Sequence, residues 1–137
     1  MNVDLKFSLL RIAYEPAIVL TFYDSGTCRI VDRELPGIGM LETLGYIKIK
    51  TYPNSFDVTR AWLTELGESE IAKIPTIDCV YTILAYKDWE YNKSFLGHYM
   101  EQLAIEELPV FLVSTDAFVR SIAKAIYDRG GKHENIY

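Results

Sequence analysis

The stretch from Leu41 to Gly67 reads LETLGYIKIKTYPNSFDVTRAWLTELG, and its pattern decides most of the fold. Apolar and polar residues alternate from Tyr46 to Lys50 and again from Phe56 to Leu63, which is typical of strands with one buried face. Pro53 and Asn54 lie between these two segments, and both residue types favour a turn. The sequence therefore predicts a β-hairpin.

A short helix is predicted on each side of this hairpin. Before it, Ile38 to Leu44 forms a short helical segment, and Gly45 is its expected end. After it, Thr64 is expected to cap a helix that begins at Glu65, because its hydroxyl can accept from a free backbone N–H of the first turn. The predicted order in this part of the chain is helix, strand, strand, helix.

Three further helices are predicted before the hairpin. Residues 3–14 have apolar side chains at helical spacing. Pro16 is expected to start a second helix that ends at Tyr23, and Thr27 is expected to cap a third over Cys28–Leu35. An alternative interpretation makes Leu20 to Val31 a β-hairpin around the turn sequence Asp-Ser-Gly.

The second half of the chain has a helical pattern almost throughout. Apolar residues recur at helical spacing over Thr76–Trp89 and over Ser94–Glu107. The apolar run from Val110 to Val113 is compatible with a strand or a helix. The sequence Ser-Thr-Asp at 114–116 predicts a capped helix over Ala117–Tyr127.

Composition limits the classes of protein to consider. The chain has 137 residues, of which 50% are hydrophobic and 24% charged, which fits one globular domain. Without an apolar run near the ~20 residues of a membrane span, or a secretory signal, we expect a cytoplasmic, intracellular protein with no membrane contact. Cys28 and Cys79 lie far apart in sequence and are expected to be buried free thiols.

The element order from Pro16 to Ile74 resembles the winged helix-turn-helix family, most closely the MarR-like and PadR-like transcription regulators. The motifs L-E-T-L-G-Y-I-K-I-K (Leu41–Lys50) and A-W-L-T-E-L-G (Ala61–Gly67) carry the tightest likeness. In that family a short helix ends in a glycine, and a two-stranded wing leads into a helix that begins L-T-x-x-G. The segment Leu20–Leu35 is similar to the family's first helix, connecting turn and second helix.

The resemblance implies a mainly α fold with a small β-hairpin, in which a winged helix-turn-helix core carries a C-terminal helical extension. The expected parts are an N-terminal helical segment (1–15), the winged-helix core (16–74), the helical extension (75–131) and a flexible tail (132–137). Such extensions dimerise members of the family, so a homodimer is expected. Aromatic residues crowd between Tyr81 and Tyr99, which fits an interface or, with equal weight, rings that cover the core of their own chain.

The function implied by the resemblance is that of a DNA-binding transcription regulator whose partner is double-stranded DNA. The chain has a net charge of −5, so a nucleic-acid surface has to be local. The segment from Tyr46 to Trp62 carries three cations and one anion, and its cations are expected to hold phosphates. The candidate nucleic-acid-binding residues are Lys48, Lys50, Thr51, Tyr52, Asn54 and Arg60 on the wing, with Arg29 and Arg33 on the preceding helix.

Two other classes of function stay open. The expected reading helix, Pro36 to Leu44, contains no Lys, Arg, Asn or Gln, and this favours a protein-interaction module without DNA binding. The run from Leu108 to Asp116 looks like the strand end of PIN-domain ribonucleases, which gather acidic residues around Mg²⁺. The metal ligands of such a nuclease would be Asp24, Glu68, Asp78 and Asp116, although Asp116 is also a natural helix cap.

No other catalytic or metal-binding pattern is present in the sequence. The two histidines, His98 and His133, lack a neighbouring ligand at metal-binding spacing. A phosphate-binding glycine loop is also missing. We therefore expect a protein that has no cofactor and no metal and is not an enzyme.

Overall fold

The computed structural model describes residues 1–14, 19–22, 26–30, 35–52, 58–89 and 91–130. The chain divides into two compact units, Met1–Tyr86 and Lys87–Tyr137. Within the described ranges, no helix combines the length and the apolar character that crossing a membrane requires.

Helices are the main elements of both units, as the sequence predicts. The first unit contains α1 (Val3–Tyr14), β1 (Val19–Phe22), β2 (Gly26–Ile30), α2 (Ile38–Thr43), β3 (Ile47–Tyr52), β4 (Val58–Leu63), α3 (Glu65–Ala72) and α4 (Thr76–Leu84). The second contains α5 (Asn92–Glu101), a short 3-10 helix (Ile105–Glu107), α6 (Pro109–Leu112) and α7 (Ala117–Asp128).

One antiparallel sheet with the strand order β1-β2-β4-β3 organises the first unit. The predicted hairpin is present as β3 and β4, which pair from Ile47 opposite Leu63 to Tyr52 opposite Val58. Two strands that the sequence analysis did not favour extend it, because β2 pairs with β4 through Arg29 opposite Ala61. The sheet is therefore larger than the small hairpin expected.

The helices predicted over Pro16–Tyr23 and Cys28–Leu35 are wrong, because β1 and β2 are strands that pair with each other. The alternative hairpin interpretation of Leu20 to Val31 is the one the structure supports. β-branched residues occur in both strands, and their stiff side chains favour extended backbone over helix. Residues 23–25, between the strands, lie outside the described ranges.

The predicted order of helix, strand, strand and helix from α2 to α3 is confirmed. Gly45 follows α2 with φ 81°, a conformation that favours glycine. Thr64 caps α3 as expected, because its hydroxyl accepts from the Gly67 amide at 3.1 Å. The same hydroxyl donates to the Gly45 carbonyl, and the Thr64 amide donates to the Tyr46 carbonyl at 3.0 Å.

Gly67 is required by a close approach of two backbone segments. A Cβ at this position would lie 2.0 Å from the carbonyl oxygen of Tyr46. No rotamer change can relieve that contact, because both partners are main chain. The glycine of the L-T-E-L-G motif thus lets the first turn of α3 lie directly against the start of β3.

Helix α1 provides the core of the first unit by packing against β4, α2 and α4. Tyr86 stacks on Phe7 of α1 with ring centroids 4.0 Å apart, and its hydroxyl donates to Asp4. Lys6 and Asp78 join α1 to α4 at 2.7 Å. The first unit therefore includes α4, which the sequence analysis assigned to the C-terminal extension. Its fully buried large side chains are Phe7, Leu9, Leu10, Leu41, Ile47 and Ile83.

The second unit is a small helical cluster. The ambiguous run after Leu108 is helical, and Phe111 is its buried residue. Asp116 caps α7 by accepting from the Val119 amide at 2.9 Å, as the Ser-Thr-Asp sequence predicts. Helix α5 ends at Glu101, earlier than predicted. Among the described residues of this unit, the fully buried large side chains are Phe95, Leu96, Met100, Leu108, Phe111 and Ile126.

Substituting Gly67 and Gly39 tests the close approach at the start of β3. We expect Gly67→Ala to lower the free energy of unfolding by about 3 kcal/mol, because a methyl group cannot fit beside the Tyr46 carbonyl. Gly39→Ala is the control, since a Cβ there meets no atom within 4 Å. That variant should gain up to about 1 kcal/mol from helix propensity. Urea denaturation measures both, and equal stability of the two variants would contradict the packing described.

The Tyr14 hydroxyl gives the first unit a pH dependence. Burial raises the pKa of Tyr14 above its ordinary value of 10.0, and the thiolate of Cys79 raises it further. Because the pKa of Tyr14 is higher in the folded state than in the unfolded state, its contribution to stability is fully present below pH 10. That contribution is lost as the pH rises through the folded-state pKa. We expect wild type to lose more stability than Tyr14→Phe above pH 10 in thermal melts. Equal losses of thermal stability with rising pH in wild type and Tyr14→Phe would contradict the raised pKa of Tyr14.

Candidate nucleic-acid interface

The β3–β4 hairpin has one face buried under α1. Ile47 and Ala61 are 1% and 0% exposed, and Ile49 is the register partner of Ala61. Partners in an antiparallel pair lie on the same side of the sheet, and so do alternate residues along one strand. These apolar side chains therefore belong to the face that packs against α1.

The opposite face of the hairpin carries charge. Lys48 is the register partner of Trp62, and Lys50 is the register partner of Arg60. Both lysines are exposed, whereas Arg60 and Trp62 are half-buried. Register partners have Cβ atoms about 5 Å apart, and alternate residues along a strand are about 7 Å apart. We call these four residues the cationic face.

The lysines are the members of the cationic face most available to a ligand. Arg60 is half-buried, and its Nε atom is not accessible to solvent. Its positive charge still adds to the local potential, because it is the direct neighbour of Lys50. No acidic residue occurs in β3 or β4. Three positive charges are therefore adjacent on one side of the sheet.

The remaining predicted contact residues have different positions. Thr51 and Tyr52 are the last residues of β3, at the distal end of the hairpin. Arg29 is on a strand as the register partner of Ala61, so its assignment to a helix is wrong. Asn54 and Arg33 lie outside the described residues. The structure thus brings together Lys48, Lys50 and Arg60 of the predicted set, and it adds Trp62, which the sequence analysis did not select.

Helix α2 occupies the place of the expected reading helix but offers no cationic side chain. It is only six residues long. Its exposed polar side chains are those of Glu42 and Thr43, and the Thr43 hydroxyl donates to the Gly39 carbonyl at 3.0 Å. Bases are usually read by Arg, Lys, Asn or Gln. Recognition of a sequence in the major groove by α2 therefore has no support from its side chains.

Several other cations of the protein are held in ion pairs. Lys6 contacts Asp78, Lys73 contacts Glu70 at 3.1 Å, and Lys124 contacts Asp128 at 2.8 Å. Arg129 pairs with Glu101. These pairs cancel charge locally. The three adjacent cations of β3 and β4 make the hairpin a candidate for contact with a polyanion.

The residues proposed for a nuclease serve other purposes. Asp116 caps α7, and Asp78 is paired with Lys6. Glu68 is exposed in the first turn of α3, and Asp24 lies outside the described ranges. The described part of the chain contains no group of three or more His, Cys, Asp or Glu that could hold a metal. Its strand pairings are all antiparallel, whereas the nuclease fold needs a parallel sheet.

The aromatic residues between α4 and α5 are divided between core and surface. Tyr86 stacks in the first unit, and Phe95 and Tyr99 are buried in the second. Tyr81 and Tyr91 are exposed. Part of the aromatic cluster therefore covers the chain's own core, and the homodimer stays a prediction. Cys79 is a buried free thiol, as expected.

Comparison with protein-family models, with curated proteins and with solved structures gives no match. The winged-helix resemblance therefore stays a prediction. The segment from α2 to α3 has the order of elements that it implies, but β1 and β2 replace two of the expected helices.

Two neighbouring substitutions test the two faces of the hairpin. Ile47→Glu places a charge on the buried face of the hairpin, and we expect it to lower the free energy of unfolding by about 3 kcal/mol or more. Lys48→Glu places the same residue on the cationic face, where a change within about 0.5 kcal/mol is expected. Urea denaturation followed by circular dichroism compares them. A large loss for Lys48→Glu would show that the cationic face is covered.

Proposed function

We propose that this protein binds DNA by holding backbone phosphates with the cationic face, and that it acts as a transcription regulator. The observation that carries the proposal is the pair of exposed lysines, Lys48 and Lys50, side by side on the open face of a hairpin. Because the opposite face of the hairpin is buried, Lys48 and Lys50 lie on the face that is open to a ligand. The regulatory role rests on the winged-helix resemblance alone.

Phosphate contacts supply affinity without selecting a sequence. Each phosphate neutralised by a cation releases counterions, and this contributes about 0.9 to the slope of log affinity against log salt for duplex DNA. Since the protein as a whole is acidic, the binding is expected to be confined to the hairpin and to weaken steeply with salt. The absence of Arg, Lys, Asn and Gln from α2 agrees with binding that is dominated by the backbone.

Charge reversal of both lysines tests the proposal. We expect Lys48→Glu/Lys50→Glu to abolish the electrophoretic mobility shift of duplex DNA, because two attractive contacts become repulsive. The matched control is Lys87→Glu/Lys124→Glu, which changes two exposed lysines of the second unit and alters net charge equally. This control should keep at least about half of the wild-type affinity, since long-range charge is largely screened.

A milder pair of variants gives a quantitative test. Lys48→Gln/Lys50→Gln removes two cations, so the salt slope for duplex DNA should fall by about 1.8. Thermal melts establish that the fold is intact. Unchanged shifts in both double variants, or loss of the shift in the second-unit control as well, would remove the hairpin from the mechanism.

A protein-interaction module is the second candidate, and an exposed apolar surface favours it. Met40 and Leu44 are 52% and 42% exposed and are spaced four residues apart, so they lie on the same side of α2. Leu66 is 48% exposed and reaches the vicinity of Gly45, because its Cδ2 is 3.8 Å from a Cβ built there. Failure of the wild-type protein to shift DNA even at low salt would favour this function over DNA binding.

A further inference from the structure

We propose that the cationic face binds single-stranded nucleic acid in preference to duplex, with the indole of Trp62 stacked on an unpaired base. The proposal rests on the proposed function and names the form of nucleic acid that the same site takes. It assigns a role to Trp62, whose position beside the lysines becomes visible only with the strand register.

Trp62 is placed among the cations of the face. Its register partner is Lys48, and Arg60 lies two residues before it on the same strand. All share the side of the sheet that faces away from α1, because the intervening residue Ala61 is completely buried. Trp62 is half-buried, so part of the residue remains accessible to solvent. An aromatic ring held between cations is the arrangement that single strands use, with phosphates on the charges and a base on the ring.

A duplex cannot use the ring in this way. Its bases are already stacked on each other and paired, so their flat faces are closed to a side chain unless the helix is opened. Base edges in the groove of a duplex are usually read by Arg, Lys, Asn or Gln on an inserted helix, and α2 has none of these residues. A single strand presents both its phosphates and its base faces to an open sheet. Stacking is also tolerant of sequence, since every base has a π-face.

Intrinsic fluorescence reports directly on Trp62. The chain has two tryptophans, Trp62 and Trp89, so Trp89→Phe leaves Trp62 as the only reporter. We would titrate this variant at low salt with oligothymidylate of about 12 nucleotides, a length within the usual site size for single strands. Oligouridylate and a duplex of the same length are the other ligands. The expected result is saturable quenching by the single strands and weaker binding of the duplex, and the two single strands show whether the sugar matters.

Substitution of Trp62 separates stacking from charge. We expect Trp62→Ala to weaken single-strand binding about tenfold or more, with duplex binding changed less than about twofold. Trp62→Phe keeps a stacking ring and should retain most of the affinity, and the quenching titration remains the test if the alanine variant is unstable. Trp89→Phe alone should leave both affinities unchanged. Mobility shifts at the same salt concentration measure all four proteins.

The outcomes distinguish this proposal from the one it rests on. Tighter binding of the duplex, binding of a single strand without quenching, or equal losses for both ligands in Trp62→Ala would overturn the role of Trp62. If the duplex still bound through Lys48 and Lys50, DNA binding by the face would survive. If neither ligand bound at low salt, both proposals would fall together.

Discussion

The site depends on the alternation of side chains between the two faces of the β3–β4 hairpin. Ile47 and Ala61 are buried beneath α1, while Lys48 and Trp62 occupy the next register position on the other side of the sheet. A slip of one residue would exchange the faces and move Lys48 under α1. Burying an unpaired ammonium group costs several kcal/mol, so the lysines fix the register as firmly as the apolar residues do. The chemistry of the open face is thus a consequence of how the core is filled.

The base of the hairpin is fastened to the helices on each side. The Tyr46 carbonyl accepts from the Thr64 amide and lies against Gly67, and the Thr64 hydroxyl joins the Gly45 carbonyl to the first turn of α3. These contacts connect the residues just before β3 with those just after β4, where the two strands end side by side. This arrangement satisfies the Gly67 amide in the first turn of α3 and the Gly45 carbonyl after α2. The base of the hairpin is therefore held by backbone contacts together with the Thr64 side chain.

The sequence predicted the elements whose signals are local. The alternation from Tyr46 to Lys50, the cap at Thr64 and the Ser-Thr-Asp cluster before α7 each specify an element within a few residues, and each is confirmed. By contrast, Val19–Phe22 is too short for its periodicity to distinguish a strand from a helix. Pro16 favoured the helix, because proline is common at the first position of a helix. The β-branched residues and the Asp-Ser-Gly turn were the signals for a strand that could have decided the matter.

The sheet and the role of Trp62 depend on pairings between distant segments. Arg29 and Ala61 are register partners although more than thirty residues of chain separate them. The sequence of neither segment identifies the other as its pairing partner. The lysines could be selected from sequence because charge is visible there. Trp62 looked like an ordinary strand residue until the register placed it opposite Lys48. Only the structure shows which residues lie beside each cation. Those neighbours determine whether a charged strand could bind phosphates alone or phosphates together with a base.

The overall negative charge of the protein bears on how the proposed site would bind a polyanion. Several cations outside the hairpin, such as Lys6 and Lys124, are neutralised by adjacent carboxylates, and the net charge is −5. Lys48, Lys50 and Arg60 place three positive charges within one small area of the first unit. Because the total affinity then rests on few contacts, stacking by one aromatic ring would contribute a large share of the binding free energy. Since α2 has no Arg, Lys, Asn or Gln, that ring would give the proposed site a contact beyond the phosphates.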